Sequence, residues 1–335
     1  MKLRSILFAF AAMSFAGAVR DVAAQDAPAT PAAAPVAAAH EPQGVAPASG
    51  AHEAAPVDII TPHITDAHFI EVPSFSFAHG FAREIELPRW APVHIGPVAI
   101  DLSPTKHVVM LLIVAFLVCA VLIIAARGQA KQAASGQPPR GLANAIEAVV
   151  LYIRNEVILP NVGHHGDAFV PFLLTIFFFI LFANLLGLVP YMSTATGNIA
   201  VTATLAIITF LVIEIAGMKA LGKGYINTII FWPHDMPLYM RIPMSMILSP
   251  VELLGKFTKP FALTVRLFAN MTAGHIVVLA FVGMIFAFQS YLIAPAPLAM
   301  AVAIMFLEIM VAVIQAFIFT LLSSVFIGLV RESHH

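Results

Sequence analysis

The sequence predicts an all-α polytopic membrane protein with about five membrane helices and one interfacial helix. Hydrophobic residues make up 60% of the 335 residues and charged residues only 10%, which is too apolar for an ordinary soluble domain. The apolar residues are also gathered into uncharged runs, each long enough for an α-helix to cross a hydrocarbon core of about 30 Å. The net charge of -1 has little meaning, because acidic and basic residues lie in different parts of the chain.

The N-terminus has the pattern of an export signal. Lys2 and Arg4 precede an apolar stretch from Ile6 to Val19, and small residues at positions 22–24 provide a cleavage site. A retained membrane anchor is the alternative, but this run is short for a span of about 20 residues. We therefore expect residues 1–24 to be a signal peptide that is removed from the mature chain.

Residues 25–106 are expected to form a periplasmic N-terminal extension. Residues 26–56 are rich in Ala and Pro, a composition that favours a disordered linker over a packed core. Residues 57–104 alternate apolar and polar positions between Pro and Gly residues, which is typical of short strands or hairpins. The seven histidines from His40 to His107 are scattered rather than spaced as ligands, so no metal site is predicted.

Five apolar runs define the predicted membrane domain, residues 107–335. The last two runs, at a rise of 1.5 Å per residue, would form helices of roughly 70 and 50 Å. Such helices do not fit upright in a bilayer, so each is either strongly tilted or broken in two. Three prolines in the fourth run, at positions 243, 250 and 260, are plausible kinks. The runs are Val108–Ala126, Ala168–Pro190, Ile199–Met218, Ile242–Phe288 and Leu298–Val330.

Basic residues in the short loops indicate the orientation. The loops after the first and third runs contain Lys and Arg, whereas the turns near residues 193–198 and 289–295 contain neither. By the positive-inside rule the N-terminus is outside and the C-terminus inside. Between Leu142 and Leu159, apolar residues repeat at helical spacing with charged residues elsewhere, which predicts an amphipathic helix on the membrane surface.

Arg266 is the most informative residue, because it lies in the middle of an apolar run. A guanidinium keeps its charge at any physiological pH, since its pKa exceeds roughly 12. Its insertion at a membrane centre costs about 2.5 to 3.5 kcal/mol, so such a residue usually faces a partner or a wet cavity. We therefore interpret Arg266 as the centre of a functional site.

His275, Glu308 and Gln315 are the other principal polar residues of the last two runs. In an antiparallel helix hairpin, residues at equal depth have residue numbers with a constant sum. The pairs Arg266 with Gln315 and His275 with Glu308 have nearly the same sum. We therefore expect both pairs to be level, with a proton shared by His275 and Glu308 and a hydrogen bond from Gln315 that orients Arg266.

Helical geometry divides these residues between two faces. At about 100° per residue, Asn270, Lys259 and Glu252 lie within about 40° of Arg266, whereas His275 lies about 180° away. The face of Arg266 and the surroundings of His275 are therefore expected to be separate. Glu252 and the lysines near it either form a solvated patch at headgroup level or line a cytoplasmic proton pathway.

The stretch Arg266-Leu-Phe-Ala-Asn270-Met-Thr-Ala-Gly274 resembles subunit a of the F-type ATP synthase membrane (Fo) sector, the stator channel protein beside the rotating c-ring. Glu252 and Lys259 upstream, and Gln315-Ala-Phe-Ile-Phe downstream, belong to the same resemblance, which covers residues 140 to 331 of the chain. In some relatives the positions of His275 and Glu308 carry a carboxylate and an imidazole in the opposite order. The pair is preserved by this exchange.

The resemblance implies a stator subunit that provides two proton half-channels to the c-ring and couples proton translocation to ATP synthesis. It also implies that the last two helices lie strongly tilted along the ring as an antiparallel hairpin. The implied partners are the c-ring rotor subunits, the b-type peripheral stalk subunits, the catalytic head and membrane lipid, in a bacterial inner membrane. No cofactor, nucleotide site or nucleic-acid partner is expected. The residues expected to act in proton translocation are Arg266, His275, Glu308, Gln315, Asn270, Glu252 and Asn184.

Some assignments remain alternatives from the sequence alone. Asn184 either contributes to a channel wall or makes an interhelical hydrogen bond, and Glu214 either lines a pathway or lies at the interface beside Lys219. A self-contained secondary transporter or cation channel is a different class of function, but the sequence has no repeated pair of interrupted helices. A membrane-anchored periplasmic binding module would leave Arg266 unexplained.

Overall fold

The computed structural model describes residues 66–73, 82–90, 93–95, 98–100, 103–136, 140–163, 166–189, 192–228, 237–288, 292 and 294–332. The predicted signal peptide, residues 1–24, and the predicted linker, residues 26–56, lie outside the described residues. Within them, five helices are long and apolar enough to cross a membrane. The predicted class, an all-α polytopic membrane protein, is confirmed.

The predicted membrane runs all form helices, with boundaries that move by up to four residues except at the end of the first, which moves by eight. The surface helix predicted from Leu142 also forms, and it continues through a π-helical turn, Ile153–Ile158, into a short last turn. The helices are α1 (Lys106–Ala134), α2 (Leu142–Tyr152), α3 (Leu159–Val162), α4 (Val170–Gly187), α5 (Ile199–Leu221), α6 (Leu238–Phe288) and α7 (Pro295–Glu332).

Two small hairpins occur in the region where the sequence predicts short strands. Strand β1 (Phe69–Pro73) pairs antiparallel with β2 (Ala82–Glu86), and β3 (Val93–Ile95) pairs antiparallel with β4 (Val98–Ile100). The N–H of Lys106 donates to the carbonyl oxygen of Ala67 over 2.9 Å. The N–H of Trp90 donates to the hydroxyl of Ser103 over 2.9 Å. The chain before α1 is therefore fastened to the start of that helix.

The two long helices are continuous. Helix α6 has 51 residues and runs through its three prolines, and α7 has 38 residues, so their lengths are about 75 and 55 Å at the usual rise. Of the two predicted alternatives, the broken helix is therefore wrong. A straight helix of this length exceeds a hydrocarbon core of about 30 Å, so a tilt is the remaining way to accommodate it.

Helices α6 and α7 pack as an antiparallel hairpin. The carboxylate of Glu308 lies against Gly274, and the ammonium of Lys259 lies 5.1 Å from the ring centroid of Phe326. Residues nearer the N-terminus of α6 therefore contact residues nearer the C-terminus of α7. This is the predicted direction of the hairpin.

The buried core is centred on α4 and one face of α7. Helix α4 buries a run of aromatic side chains, Phe177 to Phe179, at 3% exposure or less. Helix α7 turns small side chains inward, with Ala312, Ala316 and Thr320 all fully buried. Small residues let membrane helices approach closely. At Gly328 the approach is closest, because an added Cβ would collide with the carbonyl oxygen of Asn161.

Candidate functional site

Arg266 lies on the outward face of α6. Leu263, Leu267 and Met271 follow one another at helical spacing and are buried against the rest of the protein at 4% exposure or less. Arg266 and Asn270 are exposed on another face of the helix. In the part of the chain that the structure describes, the guanidinium has no hydrogen bond and no ion pair. The charge is therefore directed toward whatever lies beside the chain in the membrane.

The outward face extends along much of α6. Only 6% of the most apolar stretch of Ile242–Ile285 is buried, compared with 56% for α4. Glu252 is also exposed on this helix, and Lys259 is half-buried. A membrane helix this poorly covered by its own chain has room for a large neighbour along the side that carries Arg266.

Gln315 is placed differently from Arg266. It is buried on α7 at 6% exposure, beside the inward-facing Ala312 and Ala316. The described residues show no hydrogen bond between Gln315 and Arg266. The two residues are on adjacent helices, but the guanidinium points outward and the amide points inward.

Glu308 meets α6 at the turn that carries His275. Glu308 is buried at 5% exposure, and an added Cβ at Gly274 would collide with its carboxylate. A glycine is therefore needed at position 274 for the carboxylate to lie against the backbone of α6. Because His275 follows Gly274 directly, this contact agrees with the register predicted from the equal sums.

His275 lines a small, partly open cavity that also contains several polar side chains. The cavity has room for about one water molecule. His275 is half-buried, whereas Arg266 is exposed, which agrees with the half-turn between them calculated from the sequence. The other lining residues come from α1, from the connection between α4 and α5, and from α6: His107, Ser193, Thr194, Gly197, Met271 and Thr272.

His107 connects this cavity to the N-terminal extension. Its Nδ1 lies 2.7 Å from Oδ1 of Asp66, and its Nε2 lies 3.3 Å from the hydroxyl of Ser193. Burial raises the pKa of Asp66, but the hydrogen bond and the charge of His107 together outweigh it and leave that pKa below 3.8. Sequence reasoning treated His107 as one of several scattered histidines. The sequence contained one signal for its role, namely that this titratable residue lies in the first turn of a membrane helix.

Asn184 is an interhelical contact residue. It is completely buried, and its side-chain N–H donates to the carbonyl oxygen of Ala312 over 3.5 Å. Its side-chain oxygen accepts a 2.7 Å hydrogen bond from the hydroxyl of Thr196. These contacts join α4, α7 and the turn before α5, which is the second of the two predicted alternatives.

A buried ion pair between α5 and α6 was missed by the sequence analysis. Lys256 lies 3.3 Å from the Glu214 carboxylate and donates to the hydroxyl of Tyr225 over 2.9 Å and to that of Thr228 over 3.2 Å. Glu214 is therefore held by Lys256. The signal was available, since two opposite charges in neighbouring apolar helices usually pair. Glu214, Lys256 and Lys259 also line a small, partly open pocket between α5, α6 and α7.

The described residues contain no group of three or more His, Cys, Asp or Glu side chains arranged to hold a metal ion.

The chain matches the family model described as ATP synthase A chain over residues 108–328. It belongs to this family. The family places the chain in the membrane sector of the ATP synthase complex, as a proton-translocating subunit and not a catalytic one. All of the predicted site residues, from Asn184 to Gln315, lie inside the matched range.

Several curated relatives support the same family. The ATP synthase subunit a of Chloroherpeton thalassium is 46% identical over 275 residues, which are 81% of this chain and 77% of the relative. The ATP synthase subunit a 2 of Chlorobaculum tepidum is 44% identical over 83% of this chain and 74% of the relative. The ATP synthase subunit a of Anaeromyxobacter sp. (strain Fw109-5) is 41% identical over 87% of this chain and 74% of the relative.

Proposed function

We propose that this subunit is the stator that provides two proton half-channels to the rotating c-ring and couples proton translocation to ATP synthesis. The observation that carries the proposal is the exposed Arg266, which has no hydrogen-bond or ion-pair partner among the described residues. A charge at this place in a membrane helix costs several kcal/mol unless a partner or water compensates it. A carboxylate on a neighbouring rotor subunit is the partner of matching charge.

Arg266 separates the two half-channels in this mechanism. Its permanent positive charge attracts the deprotonated rotor carboxylate and repels a proton, so protons cannot pass directly from one half-channel to the other. Each proton must first neutralise a rotor carboxylate and travel with the ring. A membrane potential of about 100 mV supplies about 2.3 kcal/mol for each charge that moves across.

The two pathways lie on different sides of α6. His275 and Glu308, which the hairpin brings to one turn, form the inner part of the periplasmic half-channel. Glu252 and Lys259 belong to the cytoplasmic half-channel. Asn270 shares the outward face of Arg266 and contacts the ring, and Gln315 and Asn184 support the hairpin from its buried side.

The same proposal assigns partners and location. The c-ring lies against the poorly covered face of α6, and the b-type peripheral stalk subunits, the catalytic head and membrane lipid complete the surroundings. The complex is in the bacterial inner membrane, with the N-terminus periplasmic and the C-terminus cytoplasmic. Residues 1–24 are the signal peptide, residues 25–106 the periplasmic extension and residues 107–335 the proton-channel domain.

The exchange of Arg266 for alanine tests the proposal. In the purified complex, Arg266→Ala should reduce ATP-driven proton pumping by about 100-fold or more, as expected when a preorganised charge is removed. Arg266→Lys should also fail, because an ammonium can lose its proton in a poorly solvated site and lacks the planar fork. Arg127→Ala is the matched control, since Arg127 is an exposed arginine at the end of α1. Normal pumping by an assembled Arg266→Ala complex would refute the proposal.

A further inference from the structure

Three polar side chains from three parts of the chain form a continuous hydrogen-bonded row. Asp66 belongs to the N-terminal extension, His107 to the first turn of α1, and Ser193 to the connection between α4 and α5. The two contacts measure 2.7 Å and 3.3 Å and use the two different nitrogens of the imidazole ring. The row ends at the cavity that contains His275.

The exposed fraction of the side chain falls from Asp66 to His107. The side chain of Asp66 is 21% exposed, whereas that of His107 is only 4% exposed. Ser193, beyond His107, is half-buried at the edge of the cavity. Water therefore reaches the carboxylate, whereas the imidazole between the two oxygens is shielded from bulk solvent. A contact that served only to fasten the extension would need neither the exposed carboxylate nor the second hydrogen bond of the imidazole, since backbone hydrogen bonds already fasten Lys106 and Trp90.

We propose that Asp66 and His107 form the outer proton-accepting station of the periplasmic half-channel, from which protons pass through Ser193 to the cavity of His275. This inference rests on the proposed function, and it adds a carboxylate from the extension to the proton pathway. In this proposal the extension takes part in proton transfer through Asp66.

The transfer conserves protons at every step. A proton from periplasmic water binds the Asp66 carboxylate and moves to Nδ1 of His107, while the ring releases the proton on its Nε2 to the oxygen of Ser193. The hydroxyl releases its own proton to water in the cavity and so to His275. An imidazole suits this role because it can accept a proton at one nitrogen while it donates from the other.

The surroundings are consistent with a proton-accepting station. The contact with His107 holds the pKa of Asp66 below its ordinary value, so a proton that reaches the carboxylate passes on readily to the imidazole. The other titratable groups near the row are Lys106, which is buried beside His107, and His68 in the extension. His107 and His275 of α6 line the same cavity, and Glu308 of α7 lies against Gly274, the residue before His275.

The test measures ATP synthesis by the intact complex in liposomes as a function of pH in the compartment that faces the extension. The total proton-motive force is held constant with a potassium diffusion potential. With Asp66→Asn or Ser193→Ala, the rate should fall by about tenfold where that compartment is alkaline, and it should approach the native rate where it is acidic. This loss is smaller than the 10²- to 10⁴-fold of a catalytic acid or base, because water still delivers protons to the cavity more slowly. The matched control is Glu86→Gln, which neutralises an exposed carboxylate on β2.

The outcomes distinguish proton transfer through Asp66 and His107 from a purely structural contact between them. Asp66→Glu should restore the native pH profile, whereas a rate that falls by the same factor at every pH would overturn the proposal. If Asp66→Asn does not assemble, Ser193→Ala decides alone, because it leaves the contact between Asp66 and His107 in place; a profile equal to that of Glu86→Gln would then overturn the proposal. Arg266→Ala is measured in the same preparation. Loss of synthesis there, with unaltered profiles for Asp66→Asn and Ser193→Ala, would reject this inference and leave the proposed function standing.

Discussion

At the scale of single residues, the ionisable side chains of the membrane helices lie in two different environments. Arg266 is exposed and has no hydrogen bond or ion pair among the described residues, whereas Glu308 is buried at 5% exposure against Gly274. A guanidinium cannot lose its charge, but a carboxylate can take up a proton and become neutral. The residue that must stay charged is thus turned away from its own chain, and the residue that can become neutral is enclosed.

The pairing of His275 with Glu308 gives a test at this scale. Either His275→Ala or Glu308→Ala should reduce proton pumping by about 100-fold, a typical contribution of a positioned proton-transfer group. The double exchange, His275→Glu with Glu308→His, should recover a good part of the rate, because an imidazole and a carboxylate are again present and titrate as a coupled pair. Proton pumping by the assembled complex is the measurement.

A comparison of the double variant with the two single variants shows whether His275 and Glu308 act together. If the two residues act independently, the losses of the single exchanges, His275→Glu and Glu308→His, should multiply in the double variant. Recovery cannot arise from misfolding or from the general loss of a polar group. Cysteines at positions 275 and 308 that fail to crosslink in an assembled complex would contradict the shared site.

The polar positions could be predicted from the sequence, but not all of their contacts. A charge inside an apolar run is visible in the sequence, so Arg266 and Glu308 could be found directly. The contacts of Lys256 with Glu214 and of His107 with Asp66 join residues 42 and 41 positions apart. Such contacts depend on how separate elements pack, and the helical period of one element contains no information about that.

At the scale of elements, the hairpin of α6 and α7 depends on a small number of close approaches. Its direction follows from the sequence, because two long apolar runs separated by a short turn must return antiparallel. The sequence left open whether the prolines break α6, and the structure shows one helix of 51 residues. Proline removes one backbone hydrogen bond and disturbs the preceding turn, but the surrounding apolar residues still favour a helix in a membrane.

A substitution at Gly274 tests the close approach of α7 to α6. Gly274→Ala places a Cβ against the Glu308 carboxylate, and overpacking of this kind typically costs about 1 to 3 kcal/mol. We expect a lower melting temperature of the complex and a reduced rate of proton pumping. Gly283→Ala is the matched control on the same helix, since nothing lies within 4 Å of an added Cβ there.

A second change separates the steric effect from other consequences of the alanine. In Gly274→Ala with Glu308→Asp, the shorter carboxylate can withdraw from the new methyl group, so part of the lost melting temperature should return. Equal melting temperatures for Gly274→Ala and Gly283→Ala would contradict the close packing of Glu308 against α6.

At the scale of the whole molecule, the proposed orientation in the membrane rests on charge and length. Helix α1 has 29 residues and a length of about 43 Å, so its two ends lie on opposite sides of a hydrocarbon core. The hairpins before α1 and the loop after it must therefore face different compartments. The positive-inside rule assigns the loop to the cytoplasm.

Cysteine labelling tests this orientation. In a Cys119→Ser background, Glu86→Cys should react in intact spheroplasts with a maleimide that cannot cross membranes, and Ser135→Cys should react only in inverted vesicles. Both positions are exposed in the structure, so burial does not limit either reaction. Labelling of Glu86→Cys only in inverted vesicles would contradict the predicted orientation.

The three prolines of α6 also determine where that helix is mechanically stiff. Pro243, Pro250 and Pro260 all precede Arg266, and the 28 residues that follow Pro260 contain no proline. Each proline lacks the N–H that would bond to the carbonyl four residues earlier, so bending resistance is lowest in the first half of the helix. Arg266 stands just inside the stiffer half. If the c-ring turns against α6 as proposed, we therefore expect the N-terminal half of this helix to bend first, while Arg266 keeps its position.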